Sequence, residues 1–190
     1  ELVCVAGESP ETGDRDRALV LTIVYAALRR QEVASLNVED VRPLGRHWII
    51  DLASDGGARG GYVKIPDVVV HAIEEAIDRY SADEGPLWRS FSNRNREARM
   101  SADAIYKVVR RLGKRAGVEG LNIQTLRRTG LQLAAKAGAD IEQIQSHARL
   151  KNAASATAYL DPDKDRSRLS DTVIDHIDLN VDIDSTREAP

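Results

Sequence analysis

One stretch constrains the fold before any other: RALVLTIVYAALRR, residues 17–30, inside a helix-forming run from Asp14 to Arg30. Its residues are mostly apolar on every side, and a helix without a polar face must be buried. The rest of the domain has to pack around it. The run is expected to stay helical as far as Arg29 and Arg30, and charges at the end of a core helix need partners.

Further along, HWIIDLA and YVKIP read as two short strands joined by the Gly-rich loop SDGGARGG, a hairpin around Ser54 to Gly61. Pro66 stops the second strand, and Asp67 is placed to cap the helix VVVHAIEEAIDRY. Ser101 can cap the next helix, ADAIYKVVRRLGKRA, with Ile105, Val108, Val109 and Leu112 on one face, basic residues over much of the other, and Gly117 closing it. TLRRTGLQLAAKAGAD follows as a helix ending at Gly138, then IEQIQSHARLK and NAASATAYL as two more. Helices outnumber strands, and the predicted class is a mainly helical α+β domain with one small antiparallel sheet.

At 190 residues with 42% hydrophobic residues, the chain can bury one core. The lone Cys4 can form no internal disulfide, and no apolar run reaches membrane-spanning length, so a soluble cytoplasmic protein without membrane partners is expected. The first residue is Glu1, with no methionine or signal-like segment, so an upstream part is expected to have been removed. The histidines His47, His71, His147 and His176 are scattered without ligand spacing, and no metal or other cofactor is predicted.

A net charge of -3 argues at first against a nucleic-acid partner, but the average hides an asymmetry. From Arg89 to Arg128 there are eleven basic and three acidic residues, a net +8, so the remainder carries -11. A solvated helix face and a footprint for a polyanion are both compatible with that run. Arg127 and Arg128 fall in the first turn of their predicted helix, where the macrodipole disfavours cations. Either a phosphate bound at that helix terminus or bridging carboxylates would compensate.

Four colinear stretches, RDRALVLTIVYAALRRQEVASLNVEDV, YVKIPDVVVHAIEEAI, MSADAIYKVVRRLGKRAGV and LRRTGLQLAAKAGADIEQIQSHARLKNAASATAYL, resemble the catalytic domain of the tyrosine recombinase (phage-integrase) family. The resemblance runs to Leu160, implying a catalytic domain over residues 1–160 and an acidic tail over 161–190, with the family's N-terminal core-binding domain absent. It implies catalytic roles for Arg29, backed by Glu32, and for Arg127, with Tyr159 as nucleophile. Two guanidinium groups would clamp the nonbridging oxygens of one DNA phosphate while the phenol attacks phosphorus in line, leaving a 3′-phosphotyrosyl link that a second strand can reseal. Arg110, Arg111, Lys114 and Arg128 are the expected DNA-binding residues.

The sequence departs from the family pattern at three places. Where the family sets a lysine in the hairpin loop, Arg59 stands near the expected position and Lys64 further on; an arginine is a poor proton donor. Gln124 stands where the family has a histidine or another polar residue three positions before Arg127; it can hydrogen-bond a phosphate but cannot act as acid or base. Leu150 takes the place of a histidine or tryptophan nine positions before Tyr159, with His147 one turn away as a substitute or as a helix-surface residue.

The resemblance therefore implies site-specific recombination of double-stranded DNA by a tyrosine-type strand transferase, acting as a homotetramer on DNA and associated with the nucleoid. The alternative is a degenerate domain that binds DNA or regulates a partner without catalysis. The tail has nine acids and four bases, a net -5, and Leu169, Val173, Ile174 and Ile177 at helical spacing, so a short helix docking on a neighbouring protomer is expected there.

Overall fold

The computed structural model describes residues 1–53, 59–80, 83–93 and 95–151, without the side chains of Arg59 and Tyr80. Its elements are α1 (Leu2–Gly7), α2 (Gly13–Ala26), α3 (Arg30–Ser35), a 3-10 turn (Val38–Asp40), β1 (Val41–Leu44), β2 (His47–Ala53), β3 (Arg59–Ile65), α4 (Asp67–Tyr80), α5 (Ala102–Arg115), α6 (Ile123–Ala137) and α7 (Ile141–Ala148). This is a mainly helical architecture with one small antiparallel sheet, as the patterning predicts, although the sheet has three strands where the sequence reads as a two-stranded hairpin.

Helix α2 is the axis of the core. Twelve of its fourteen residues are buried, and it packs against α1, α4, α6 and β3. Each fully buried Leu or Ile contributes about 1.5–3 kcal/mol relative to exposure, which is why a helix with no polar stripe settles at the centre. α6 crosses it closely because Gly130 has no side chain: a Cβ there would collide with the Val24 carbonyl. That approach sets Arg127, one turn earlier on α6, against the C-terminal end of α2.

α2 is shorter than its sequence suggests. It stops at Ala26, Ala27 turns left-handed at φ 46°, and Arg29 is extended, so neither Arg29 nor Arg30 ends the core helix. The physical reason lies in the next helix: the Glu32 carboxylate accepts from the Arg29 backbone N–H at 2.6 Å and so begins α3.

The sheet runs β1-β2-β3. β2 buries Ile49, Ile50, Asp51 and Leu52, and it pairs with β3 through Trp48↔Ile65, Ile49↔Lys64 and Ile50↔Val63. Arg42 on β1 grips the buried Asp51 from the neighbouring strand with two bonds of 2.7 and 3.0 Å. The Asp51 charge thereby has a bidentate partner.

α5 runs antiparallel to α2. At its start Arg30 bonds the Ala102 carbonyl and Asp103, and at its end Arg111 and Arg115 pair with Asp16 and Glu8. Ser101 caps it through Ala104 N–H, and Ile105, Val108, Val109 and Leu112 are buried, as their spacing predicts. Two starts differ from expectation. Asp67 is the first residue of α4, with the Pro66 carbonyl receiving the first N–H groups, and α6 begins at Ile123 behind an Asn122 cap. Among the described residues no helix is long and apolar enough to cross a membrane.

Candidate functional site

The last carbonyls of a helix have no partner within it and carry its negative end. At the end of α2 those of Tyr25, Ala26 and Ala27 receive donors from α6 and from the end of α7. Arg127 donates to Ala27 and also to the Ala148 carbonyl that ends α7, Arg149 to Ala26 and Ala27, and His147 to Tyr25 at 2.7 Å. Two helix C-termini therefore meet at one joint, and cationic side chains bridge them.

Arg127 is only 3% exposed. With α6 starting at Ile123, it stands in the second turn, so the expected conflict with the dipole of its own helix does not arise, and the C-terminal dipoles of α2 and α7 favour its charge instead. Arg29 contrasts with it. Its side chain is 48% exposed, and its Nη1 meets Glu32 Oε1 at 2.9 Å while Nη2 donates to the Arg149 carbonyl at 2.6 Å. Arg29 and Arg127, nearly a hundred residues apart in sequence, thus hold the carbonyls of two successive residues, Arg149 and Ala148. A carboxylate is nonetheless present beside them, that of Glu32.

Arg149 is the residue that sequence reasoning missed. It caps α7 in the left-handed conformation, φ 53°, which no pattern in HARLK announces for an arginine. Its guanidinium reaches Glu32 through Nε at 3.3 Å and Nη2 at 3.0 Å, bonding the carbonyls of Ala26, Ala27 and His147 as well. Burial pushes the Glu32 carboxyl upward, but the charge of Arg149, the Arg29 N–H and the Arg29 charge outweigh it and hold the pKa below the usual range. Glu32 is accordingly an anion at neutral pH, and three arginines with one carboxylate leave the joint net positive.

His147 is partly exposed, as a helix-surface residue is expected to be, and its ring nevertheless reaches into this joint. Burial, with Arg149 and Arg127 adding to it against the bond to Tyr25, pushes its pKa down to about 4. The ring is neutral near pH 7, and because a carbonyl only accepts, Nε2 carries the hydrogen. Leu150 is half-buried against the core.

Gln124 and Arg128 are exposed on α6. Arg59 opens β3 opposite Ala53, with its side chain outside the described residues. Tyr159 and the whole tail from 161 to 190 also lie outside them. Arg110, Arg111 and Lys114 line an open pocket of 670 Å³ with Gly117, Val118, Glu119 and Gly120. That pocket sits at the Asp16 end of α2, while Arg29 follows the other end, a separation of about 20 Å along a 14-residue helix. Within the basic stretch, Arg99 donates inward to the Ala34 and Leu36 carbonyls, Arg89 to Pro86 and Glu84, and Arg115 pairs with Glu8. Among the described residues no group of three or more His, Cys, Asp or Glu could hold a metal ion.

The architecture is that of a recombinase catalytic domain: a crystal structure of XerA recombinase superposes with a TM-score of 0.69 at 26% identity, covering 84% of this chain and 56% of that one. The model of the phage integrase family matches residues 6–166, and the chain belongs to that family. Tyrosine recombinase XerA of Thermococcus kodakarensis is 29% identical over 150 residues, covering 79% of this chain and 52% of that protein. XerA of Pyrococcus horikoshii is 27% identical over 139 residues, covering 72% and 47%. The chain thus spans about half the length of the curated relatives it matches.

Proposed function

We propose that this chain is the strand-exchange domain of a site-specific DNA recombinase, cutting and rejoining double-stranded DNA through a 3′-phosphotyrosyl intermediate on Tyr159. The observation that carries the reading is the joint of α2 and α7, where Arg29 and Arg127 bond adjacent peptide units in a net-positive setting. A phosphodiester gathers negative charge on its nonbridging oxygens as it is attacked, and preorganised guanidinium groups stabilise that charge. The Tyr159 oxygen bonds to phosphorus, the bond to the 5′-oxygen breaks, the phenol proton leaves and the 5′-oxygen gains one. Gln124 is suited to hydrogen-bonding the phosphate, Arg59 is assigned the place of the hairpin-loop lysine, and Arg128, Arg110, Arg111 and Lys114 are assigned to the duplex backbone. Assembly as a tetramer, with the segment after 160 docking on a neighbouring protomer, completes this reading.

A second reading, a domain that binds DNA without cutting it, is favoured by two observations. Leu150 is apolar where proton chemistry would want a polar group, and His147 is neutral with its Nε2–H committed to Tyr25. General acid–base help is worth about 10² to 10⁴ in rate, so such losses are large enough to matter. Trapping on a nicked suicide substrate separates the two: a covalent adduct is expected with the natural chain and none with Tyr159→Phe. An adduct that persists in Tyr159→Phe removes Tyr159 from the chemistry, and the lack of one with the natural chain supports the binding-only domain.

A further inference from the structure

Resting on the reading of Arg29 as a phosphate ligand, we propose that Arg149 is a positioning residue that keeps Arg29 open to the phosphate by occupying the inner side of Glu32. The geometry separates the two arginines by what their donors do. Arg149 has five N–H groups, and each has an acceptor: Glu32 Oε1 and Oε2, and the carbonyls of Ala26, His147 and Ala27. None is left for a ligand, so Arg149 acts through its neighbours. Arg29 has committed one N–H to Glu32 and one to the Arg149 carbonyl, and among the described residues its Nε and the second hydrogens of Nη1 and Nη2 have no acceptor.

Glu32 stands between them and is saturated. Its two oxygens take the Arg29 backbone N–H and Nη1 from one side and the Arg149 fork from the other. An arginine and a carboxylate left alone close into a bidentate fork, which engages the donors that a phosphate would need. With Arg149 holding Glu32, Arg29 meets the carboxylate through a single guanidinium N–H and stays half-exposed. Without Arg149, Glu32 turns its freed oxygen lone pairs to Arg29 and competes with the phosphate.

Arg149→Gly is the informative variant, since glycine adopts φ +53° without strain and removes the guanidinium together with its aliphatic stem. The probe is inorganic phosphate, titrated while the Arg29 Nε–H resonance is followed in the natural chain, in R149G, in E32Q and in the R149G/E32Q pair. Glutamine at 32 still offers an oxygen to the Arg29 backbone N–H but carries no charge. R149G is expected to weaken phosphate binding by about tenfold, the scale of one charge-assisted hydrogen bond, and E32Q in the same chain to restore most of it. A thermal melt reports folding. Should R149G not fold, Arg149→Lys takes its place, with loss and rescue expected in the same sense.

Unweakened binding in R149G, a loss that E32Q does not rescue, or a natural chain whose Arg29 ignores phosphate would each overturn the proposal. A chain that shows loss and rescue yet forms no adduct at Tyr159 leaves Arg149 in its role and overturns the strand-exchange reading instead.

Discussion

The two ends of α2 both collect arginines, and they hold them by opposite means. At the N-terminal end the anchor is Asp16, 1% exposed, which takes Arg15 at 2.6 Å and Arg111 at 2.8 Å and accepts from Thr12. Arg15 also lies over the Phe91 ring. The acid sits in the first turn, where the helix dipole favours it. At the C-terminal end the anchors are mainly the carbonyls of Tyr25, Ala26 and Ala27, with Glu32 as the one carboxylate in the described contacts. A carboxylate cancels a guanidinium charge, while a carbonyl orients it and leaves the charge in place. Counting basic residues along the chain cannot tell these ends apart, because the count does not say which acceptor each arginine meets.

The largest effect expected from this contrast is at Asp16. Asp16→Ala leaves Arg15, itself 5% exposed, without its carboxylate, and breaking one side of a buried pair costs about 3–5 kcal/mol. Urea unfolding measures it. Glu32→Gln should cost no more than about 1–2 kcal/mol, because Arg127 and Arg149 keep their carbonyl acceptors. Equal losses at the two sites would erase the distinction between the ends.

The next effect is on pH dependence. His147 is held neutral in the fold, at about 4 against an ordinary 6.5, so the unfolded chain binds more protons between those values. Stability should fall as pH drops from about 6.5 towards 4, by an amount of the order of 1–3 kcal/mol. Glu32 acts in the same direction at lower pH, since its depressed pKa gives stability that is present above the ordinary carboxylate value and lost as pH falls through the folded one. His147→Gln should flatten the part of the stability profile between pH 4 and 6.5; a profile of unchanged slope would mean that the imidazole is not desolvated at this joint.

The smallest is at the surface pair Arg115–Glu8, 40% and 57% exposed. Glu8→Ala is expected to shift stability by less than about 1 kcal/mol in the same unfolding assay. A larger loss would show that the whole Asp16 end, and not Asp16 alone, acts as one network.

Much of the scaffold was legible because periodicity and capping chemistry are local. Ser101 begins α5, Gly117 at φ 69° and Gly138 at φ 117° follow α5 and α6, and β2 covers the seven residues read as HWIIDLA. Edge strand β1 escaped notice, since four residues with Pro43 among them give neither alternation nor length. α1 escaped too, being six residues long. The stop at Ala26 depends on a carboxylate six residues later, and apolar content says nothing of it. At the joint of α2 and α7, Arg29, Glu32 and Arg127 were singled out by the family resemblance, whereas nothing in the chain announced Arg149 or the bond from His147 to Tyr25. Their roles arise only when α7 ends against α2, a contact between residues more than a hundred positions apart.

The missing side chain at Gly130 has a practical corollary for anyone building hybrids from related integrases. Helices α2 and α6 behave as a key and its keyway: the bare backbone of one is cut to the Val24 carbonyl of the other. A hybrid that exchanges residues 13–26 and leaves 123–137 behind has to find, by chance, a foreign helix whose ridge fits that slot. Crossover points placed so that both segments travel together avoid that mismatch, and with it the displacement of Arg127 from the end of α2.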